Sequence, residues 1–360
     1  MITFKRIVPI LFLSLAAAGA MAQGIWTPRS SGYANSLSGM TWTGSQFVAV
    51  GLSASWQTTP DTLLTSPDGV TWTQHAASTK EHLNAVTSGG GVIVAVGSTG
   101  SIVTSPDGIT WTARISGTPN ALTALTWTGS QFVAVGGAGT IVTSPNGIAW
   151  TVRTTPNSTA NLTGIAWSST AGFVVVGVSG YHLTSPDGIT WTRGSDLSGT
   201  MNAVVWTGTQ FVTVGTSPFV GSLAMPVFTS PDGITWTTRS AGNGTLYGLI
   251  WTGSRLVGVG QGGQIQTSPD GITWTTQPSG TTANLYAVAL ATTTFAAAGG
   301  KANGGSTEVT ILTSVLGSTG IRSPSAGAVP LPNIAAPVPG TIRGYRANGR
   351  KPASATVVTH

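Results

Sequence analysis

The stretch TSPDGVTW, residues 65–72, returns five more times along the 360-residue chain in closely similar form. The later copies end at Trp111, Trp150, Trp191, Trp236 and Trp274. Their equivalent Asp or Asn positions are 68, 107, 146, 187, 232 and 270, so successive copies lie 39, 39, 41, 45 and 38 residues apart. A period near 40 residues indicates a repeat architecture in which each copy is one supersecondary unit.

Each period divides into four short predicted strands. In the copy ending near residue 153, these strands cover residues 122–127, 131–135, 140–143 and 148–153 and are rich in β-branched and aromatic residues. The Ser-Pro-Asp-Gly segment predicts the turn between the third and fourth strands. Pro presets φ for the turn, Asp bonds nearby backbone N–H groups, and Gly accepts a positive φ. The Trp that follows offers a large apolar surface to hold the hairpin.

The strand count predicts a closed ring. First strands begin near residues 37, 83, 122, 162, 201, 246 and 285, whereas fourth strands surround Trp26, Trp72, Trp111, Trp150, Trp191, Trp236 and Trp274. A fourth strand therefore comes first in the chain, and the last copy lacks one. We predict an all-β protein, a seven-bladed β-propeller of four-stranded antiparallel blades closed by the N-terminal strand. The alternative, an open solenoid, would leave exposed strand edges.

The two ends of the chain differ from the repeats. Residues 1–22 combine Lys5 and Arg6 with a short apolar run and Ala20-Met21-Ala22, which is typical of a cleaved signal peptide. We therefore expect a secreted, periplasmic or cell-surface protein with a propeller over residues 23–314. A membrane anchor, the alternative, would need a longer apolar run. Residues 315–360 form a Pro-rich basic tail that we expect to be extended or disordered.

Charge and cysteine content exclude several classes of function. Residues 23–314 hold 8 basic and 9 acidic side chains, a net charge of −1, so the body offers no basic face for nucleic acid. The chain has no cysteine, which excludes disulfides and thiolate chemistry. We expect no membrane span, no cofactor and a monomer. His75, His82, His182 and His360 share no ligand spacing, so no metal site is predicted.

The Ser-x-Asp-Gly-x-Thr-Trp motif resembles the Asp-box, or BNR, repeat of sialidase-like propellers. The whole unit, with its FVAVG and TSPDGITWT segments, is more similar to bacterial propellers related to the photosystem II stability and assembly factor. The resemblance covers residues 24–314, although the usual box has one more residue between Asp and Gly. The repeat places one box residue in each turn and so predicts a structural role for Asp68, Asp107, Asn146, Asp187, Asp232 and Asp270.

A sialidase-like activity would imply an arginine triad, a Tyr/Glu pair and a catalytic Asp. The arginines at 29, 114, 153, 193 and 239 follow the box Trp on the outer strand, where we expect them to blunt exposed edges with charge. Arg255 lies in a turn on the opposite face from the long loops. No arginine is left for a triad, so no catalytic residue is carried over from this family.

The variable connections indicate where a site would lie. Three of the predicted loops between second and third strands are long, at residues 52–63, 216–226 and 300–308, and binding residues are commonly found on such loops. Ring closure would make Asp61, Glu81 and Glu308 neighbours, in one sector with further charged and aromatic residues. The predicted cluster comprises Trp56, Asp61, Lys80, Glu81, His82, Lys301 and Glu308. The alternative interpretation is a set of solvated loop charges.

A second candidate binding site is formed by one residue of each blade, the one that follows the apolar residue at the start of the first strand. These residues are all polar or hydroxylated: Ser38, Asn84, Thr123, Thr163, Asn202, Tyr247 and Tyr286. They would rim the central channel, where Tyr247 and Tyr286 lie in adjacent blades. Aromatic and amide groups at such a mouth suit sugar or peptide binding. Hydrogen bonding at the strand entry is the alternative.

Three hypotheses follow from these observations. The first is an exported, non-catalytic scaffold that binds a protein or a glycan through its variable loop face. The second is a glycoside hydrolase or lyase in which Glu308 pairs with Asp61 or Glu81 across a cleft. The third, implied by the family resemblance, is a cofactor-free assembly factor, although the arginine-rich surface expected in that family is missing.

Overall fold

The structure, a computed structural model, describes residues 24–33, 35–51, 62–76, 78–79, 81–156, 159–217, 224–300 and 310–315. The predicted signal segment and all but the first residue of the predicted tail lie outside these ranges. The described strands form seven sheets, each four-stranded and antiparallel. The chain is a seven-bladed β-propeller, as the repeat count predicts.

The strands of each blade follow one another in the chain, with one exception. The first strand, β1 (Thr27–Arg29), precedes all seven repeats. Blade 1 contains β2 (Leu37–Trp42), β3 (Phe47–Gly51), β4 (Leu63–Ser66) and β5 (Thr73–Gln74). Blade 2 contains β6 (Leu83–Gly89), β7 (Val92–Gly97), β8 (Ile102–Ser105) and β9 (Thr112–Arg114). Blade 3 contains β10 (Leu122–Trp127), β11 (Phe132–Gly136), β12 (Ile141–Ser144) and β13 (Thr151–Arg153).

The remaining blades repeat this order. Blade 4 contains β14 (Leu162–Ser168), β15 (Gly172–Gly177), β16 (His182–Ser185) and β17 (Thr192–Arg193). Blade 5 contains β18 (Thr200–Trp206), β19 (Phe211–Thr216), β20 (Ala224–Ser230) and β21 (Thr237–Asn243). Blade 6 contains β22 (Leu246–Trp251), β23 (Leu256–Gly260), β24 (Ile265–Ser268) and β25 (Thr275–Gln277). Blade 7 contains β26 (Asn284–Leu290), β27 (Thr294–Gly300) and β28 (Thr310–Val315), and β1 is its fourth strand.

The N-terminal strand closes the ring, as predicted. Strand β1 pairs antiparallel with β28, with Thr27 opposite Thr313. The Arg29 Nε atom donates to Thr313 Oγ1 at 2.8 Å, and Ser314 Oγ donates to the Gly24 carbonyl at 2.7 Å. Pairing of β1 with β28 removes the strand edge that blade 7 would otherwise expose.

The hydrophobic core lies between blades. Buried apolar residues form seven clusters, and each cluster joins two neighbouring blades. The cluster that contains Leu37 and Phe47 of blade 1 also contains Ala289, Ala296 and Ile311 of blade 7. Because burial at every interface removes apolar surface from water, each blade depends on both neighbours for its stability.

The predicted strands of blade 3 are found, with β11 and β12 each displaced by one residue from the predicted bounds. The strand β10 has the predicted bounds, whereas β13 begins at Thr151 instead of residue 148. The reason is the preceding turn, in which the N–H groups of Ile148 and Ala149 donate to Asn146 Oδ1 instead of to a neighbouring strand. The last strand, β28, includes Val315, the first residue of the predicted tail.

The connections lie on two faces. The loop face holds the connections between second and third strands and those between blades, and the turn face holds the other two kinds of connection. In four blades the second and third strands are joined by a single 3₁₀ turn: Ser98–Gly100, Gly137–Gly139, Val178–Gly180 and Gln261–Gly263. The corresponding connections of blades 1, 5 and 7 are the long ones and fall largely outside the described residues. Within the described ranges, no helix is long and apolar enough to cross a membrane.

Candidate binding site at the channel mouth

Every first strand carries a β-bulge at the same position. The pairing register with the second strand shifts at one residue of each blade, which is Ser38, Asn84, Thr123, Thr163, Asn202, Tyr247 or Tyr286. These are the seven polar residues predicted to rim the channel, and all are half-buried. A bulge adds an unpaired residue to one strand and redirects its side chain out of the ladder.

The residue after each bulge is small, a signal that the sequence analysis missed. Gly or Ala occupies positions 39, 85, 124, 164, 203, 248 and 287. First strands of neighbouring blades contact one another around the axis. A Cβ atom on Gly39 would lie 2.9 Å from the Ala85 Cα, and one on Gly164 would lie 3.2 Å from the Ala203 Cα. The small residues therefore permit this close approach of the inner strands.

In blades 2 to 5 the bulged residue binds the neighbouring blade. The Asn84 Nδ2 donates to the Leu122 carbonyl at 2.8 Å, and Thr123 Oγ1 donates to the Leu162 carbonyl at 2.5 Å. Thr163 Oγ1 donates in the same way to the Met201 carbonyl, and Asn202 Nδ2 donates to the Leu246 carbonyl at 2.8 Å. For these four blades the alternative interpretation, hydrogen bonding at the strand entry, is correct.

The pattern stops at blades 6, 7 and 1. The side chains of Tyr247 and Ser38 have no hydrogen-bond partner in the described part of the chain, and Tyr286 does not reach the Leu37 carbonyl. In that same part of the chain, no side chain donates to the equivalent carbonyls of Leu285, Leu37 and Leu83. On this side of the channel mouth, therefore, the half-buried side chains of Tyr247 and Ser38 do not make the blade-to-blade hydrogen bond that the bulged residues of blades 2 to 5 make.

The two tyrosines of this side are in contact. Their ring centroids lie 5.2 Å apart at an interplanar angle of 37°. Burial raises the pKa of the Tyr247 hydroxyl, and the neighbouring Tyr286 raises it further. The Tyr247 phenol thus stays neutral at physiological pH and is able both to donate and to accept a hydrogen bond.

An open depression on blade 6 is linked to the tyrosine pair through Asn284. It has a volume of about 650 Å³ and is lined by Gly262, Gln277, Thr281 and neighbouring residues of blade 6 and the following loop. Asn284 connects the two features, because its Nδ2 donates to the Tyr286 hydroxyl at 3.2 Å and its Oδ1 accepts from the Gly262 N–H at 2.9 Å. We call this depression, together with Tyr247, Asn284 and Tyr286, the 6–7 sector.

The predicted charged cluster is only partly described. Trp56, Asp61, Lys80, Lys301 and Glu308 lie outside the described residues. Glu81 is half-buried, and its N–H donates to Thr79 Oγ1 at 3.1 Å. His82 is buried, so its ring is largely withheld from the loop face, and its carbonyl accepts from the Ser98 N–H at 2.8 Å. Convergence of Asp61, Glu81 and Glu308 stays a prediction.

Charged groups in the described ranges form few clusters. The one ion pair among these residues joins Arg193 to Asp196 at 2.9 Å. No group of three or more His, Cys, Asp or Glu residues in the described part of the chain is arranged to hold a metal ion.

The outer arginines make specific hydrogen bonds. The Nε atoms of Arg114, Arg153 and Arg239 donate to a threonine Oγ1 of the third strand at 2.9, 2.7 and 2.9 Å, as Arg29 does in blade 7. His75 and Gln277 bond the equivalent threonines of blades 1 and 6. Edge protection alone was therefore an incomplete prediction, because these side chains also tie the outer strand to the blade.

The Ser-Pro-Asp-Gly turns share one hydrogen-bond network. In blade 2, Asp107 Oδ1 accepts from the N–H groups of Ile109 and Thr110 at 2.9 Å each, and Ser105 Oγ donates to it at 3.0 Å. The Trp111 Nε1 donates to the Gly108 carbonyl at 3.0 Å. The bonds from Thr110 and Ile109 hold the pKa of Asp107 below its ordinary value. Six turns carry this network, with Asn146 in place of Asp in blade 3.

Asp107→Ala is expected to lower the melting temperature more than Asp107→Asn. Alanine leaves the two turn N–H groups without their acceptor, whereas asparagine retains a side-chain oxygen, as Asn146 does. Thermal melts of the two variants beside the parent chain measure the difference. If Asn were as harmful as Ala, the negative charge itself would be needed, and a structural role for the turn oxygen alone would be wrong.

Comparison with known proteins shows similarity in fold. No protein-family model matches the chain, and no curated protein matches it. A solved structure of YCF48 bound to D1 peptide matches with a TM-score of 0.62 at 16% identity, over 83% of this chain and 99% of that one. YCF48 from Cyanidioschyzon merolae matches with a TM-score of 0.59 at 17% identity, over 80% and 98%.

The shared feature is the propeller. The WD40 β-propeller domain of Doa1 also matches, with a TM-score of 0.61 at 11% identity, over 81% of this chain and 97% of that chain. YCF48 is a photosystem II assembly factor, so the predicted likeness to propellers of that kind is supported at the level of fold. The Asp-box relationship and the sialidase-like family stay predictions.

Proposed function

We propose that this protein is an exported, non-catalytic scaffold that binds a segment of another protein at the 6–7 sector. The observation that carries the proposal is the interruption of the strand-to-strand hydrogen bonds at blades 6, 7 and 1. Four blades use the bulged side chain to bind the next blade, whereas this side of the ring presents a tyrosine pair beside a depression.

The chemistry of the sector suits a peptide. An extended peptide offers alternating N–H and C=O groups, and the sector offers the half-buried Tyr247 hydroxyl, which both donates and accepts hydrogen bonds. Tyrosine supplies a rigid apolar surface with a polar end, which is why it is common among the residues that dominate binding energy. The adjoining depression would accept one side chain of the bound segment.

Two further observations support the proposal. YCF48, whose propeller fold is similar, has been solved with a D1 peptide bound. Export is supported by the signal-like composition of residues 1–22. A glycan is the other ligand that tyrosine and amide groups bind, and it is treated as an outcome of the test.

The Tyr247→Ala/Tyr286→Ala double variant is expected to lose peptide affinity by about tenfold or more. Peptides would be selected against the exported chain from a displayed library of random 12-residue sequences, and their Kd would be measured by calorimetry. A Tyr247→Phe/Tyr286→Phe variant separates the hydroxyl contribution from that of the rings. Val152→Ala on the outer strand β13 is the control and should leave affinity unchanged.

Two results would count against the proposal. One is an enriched peptide whose affinity is the same for the parent chain and the tyrosine variant, which would place binding elsewhere. The other is selective binding on a glycan array without any peptide enrichment, which would favour the glycan hypothesis. Hydrolysis of the bound glycan that is lost in Glu81→Gln would favour the glycoside hydrolase or lyase.

A further inference from the structure

Asn284 lies between the two parts of the 6–7 sector, and the two polar atoms of its side chain have different partners. It is the first residue of β26 and is buried. Its Oδ1 atom accepts from the Gly262 N–H at 2.9 Å, in the 3₁₀ turn that lines the depression. A backbone N–H only donates, so the amide oxygen must face Gly262 and the NH₂ group must face away. The backbone of blade 6 therefore fixes the orientation of the Asn284 amide.

This orientation determines the role of the Tyr286 hydroxyl. The Asn284 Nδ2 atom lies 3.2 Å from Tyr286 Oη, and an amide NH₂ group donates but does not accept. The Tyr286 oxygen is therefore the acceptor in this contact, and its own proton is directed elsewhere. Within the described residues, this contact is the one hydrogen bond of the Tyr286 hydroxyl. Tyr286 thus presents an O–H donor from a half-buried position at the channel mouth.

Blade 4 contains a counterpart whose donor is already used. Asn161 holds the position that Asn284 holds in blade 7, and its Oδ1 accepts from the Ala138 N–H at 3.3 Å, in the equivalent 3₁₀ turn of blade 3. Two residues later, Thr163 Oγ1 donates to the Met201 carbonyl of blade 5. The contact between asparagine and turn is thus common to both blades. The blades differ in the bulged residue, whose hydroxyl proton binds the next blade in blade 4 and has no acceptor among the described residues in blade 7.

We propose that Tyr286 donates its hydroxyl proton to a backbone carbonyl of the bound segment, and that Asn284 is the positioning residue that keeps Tyr286 a donor. This inference rests on the proposed function, because it names one contact between the 6–7 sector and its peptide. The Tyr247 ring, in contact with that of Tyr286, restricts the direction in which the hydroxyl points. Carbonyl and N–H groups alternate along an extended chain, so one fixed donor also sets the register of the segment.

The substitution Asn284→Asp reverses the polarity of this contact and tests the proposal. One carboxylate oxygen still accepts from the Gly262 N–H, but the second oxygen accepts as well, so the Tyr286 proton turns toward it and is withdrawn from the peptide. The affinity for peptides selected against the parent chain is expected to fall about tenfold. Calorimetry measures the Kd, and melting temperatures show whether each variant is folded.

Two controls separate positioning from a purely structural or charge effect. In the Tyr286→Phe background, Asn284→Asp should cause a much smaller further loss of affinity, because the proton that it withdraws is already missing. A structural or charge effect would be the same in both backgrounds. Asn161→Asp places the same charge at the matched position of blade 4 and should leave the affinity unchanged.

A measurement without peptide distinguishes failure of this inference from failure of the proposed function. The Cζ carbon resonance of Tyr286, assigned by its absence from Tyr286→Phe, should move downfield in Asn284→Asp, because a phenol that donates to a carboxylate gains phenolate character. It should not move in Asn161→Asp. An unmoved resonance in Asn284→Asp, or an equal loss of affinity with and without the Tyr286 hydroxyl, would overturn the inference and leave the proposed function standing. If no selected peptide depended on the tyrosine pair, both would be overturned.

Discussion

Trp26→Ala is expected to lower the free energy of unfolding by about 3–5 kcal/mol. Trp26 is buried in the cluster between blades 6 and 7, where its ring packs on Phe295 with centroids 5.9 Å apart. It immediately precedes β1, the strand that completes blade 7, so its loss creates a cavity where the ring closes. Chemical denaturation of the chain, followed by tryptophan fluorescence and circular dichroism, measures the change.

The neighbouring residue supplies the control. Ile25 is 88% exposed, and Ile25→Ala should change stability by no more than about 0.5 kcal/mol. Deletion of residues 24–31 should be more harmful than Trp26→Ala, because it leaves β28 as an exposed strand edge and favours aggregation. Identical melting curves for the Trp26 and Ile25 variants would show that β1 contributes little to closure.

His182→Ile is expected to stabilise the protein by about 1–3 kcal/mol and to reduce its sensitivity to acid. His182 is fully buried at the start of β16, and neither Nδ1 nor Nε2 makes a hydrogen bond of good geometry. Aliphatic residues occupy the equivalent position in the other blades: Leu63, Ile102, Ile141, Val227, Ile265 and Ile311. An unsatisfied buried ring is costly, and isoleucine replaces it with apolar packing.

The direction of the pH dependence follows from burial. Burial lowers the pKa of His182 below its ordinary value of 6.5; the charge of Arg193 assists this shift, whereas the charge of Asp196 and the nearby Ser195 backbone oppose it. The unfolded chain therefore binds a proton more readily, so stability decreases as pH falls below about 6.5 and continues to decrease until the folded pKa is passed. The turn aspartates, whose pKa values are lowered from 3.8, lose their contribution only at lower pH.

Unfolding free energies measured at intervals from pH 8 to pH 5 test this prediction. The slope should be smaller in His182→Ile than in the parent chain. His75→Gln is the matched control, because Gln277 already makes the equivalent bond to a threonine in blade 6. The slope should largely persist in that control. An unchanged slope in His182→Ile would mean that another group titrates, and the prediction would be wrong.

The fold was predictable because its signals are local. The Ser-Pro-Asp-Gly turns, the alternating strands and the period near 40 residues are properties of short segments. The offset between first and fourth strands then predicted that β1 would complete blade 7, which the pairing of β1 with β28 confirms. The polar position of each first strand was likewise visible as one residue per repeat.

Only the tertiary structure decided which of these repeated polar side chains make a hydrogen bond to the next blade. The bulged residue Asn84 and its acceptor Leu122 are 38 residues apart, and their contact depends on how neighbouring inner strands pack. The sequence shows Tyr247 and Asn202 at equivalent positions, yet only Asn202 donates a hydrogen bond to a backbone carbonyl of the next blade. Burial of His182 is decided in the same way. A side chain's environment is set by the neighbouring blade, and local sequence patterns do not specify that contact.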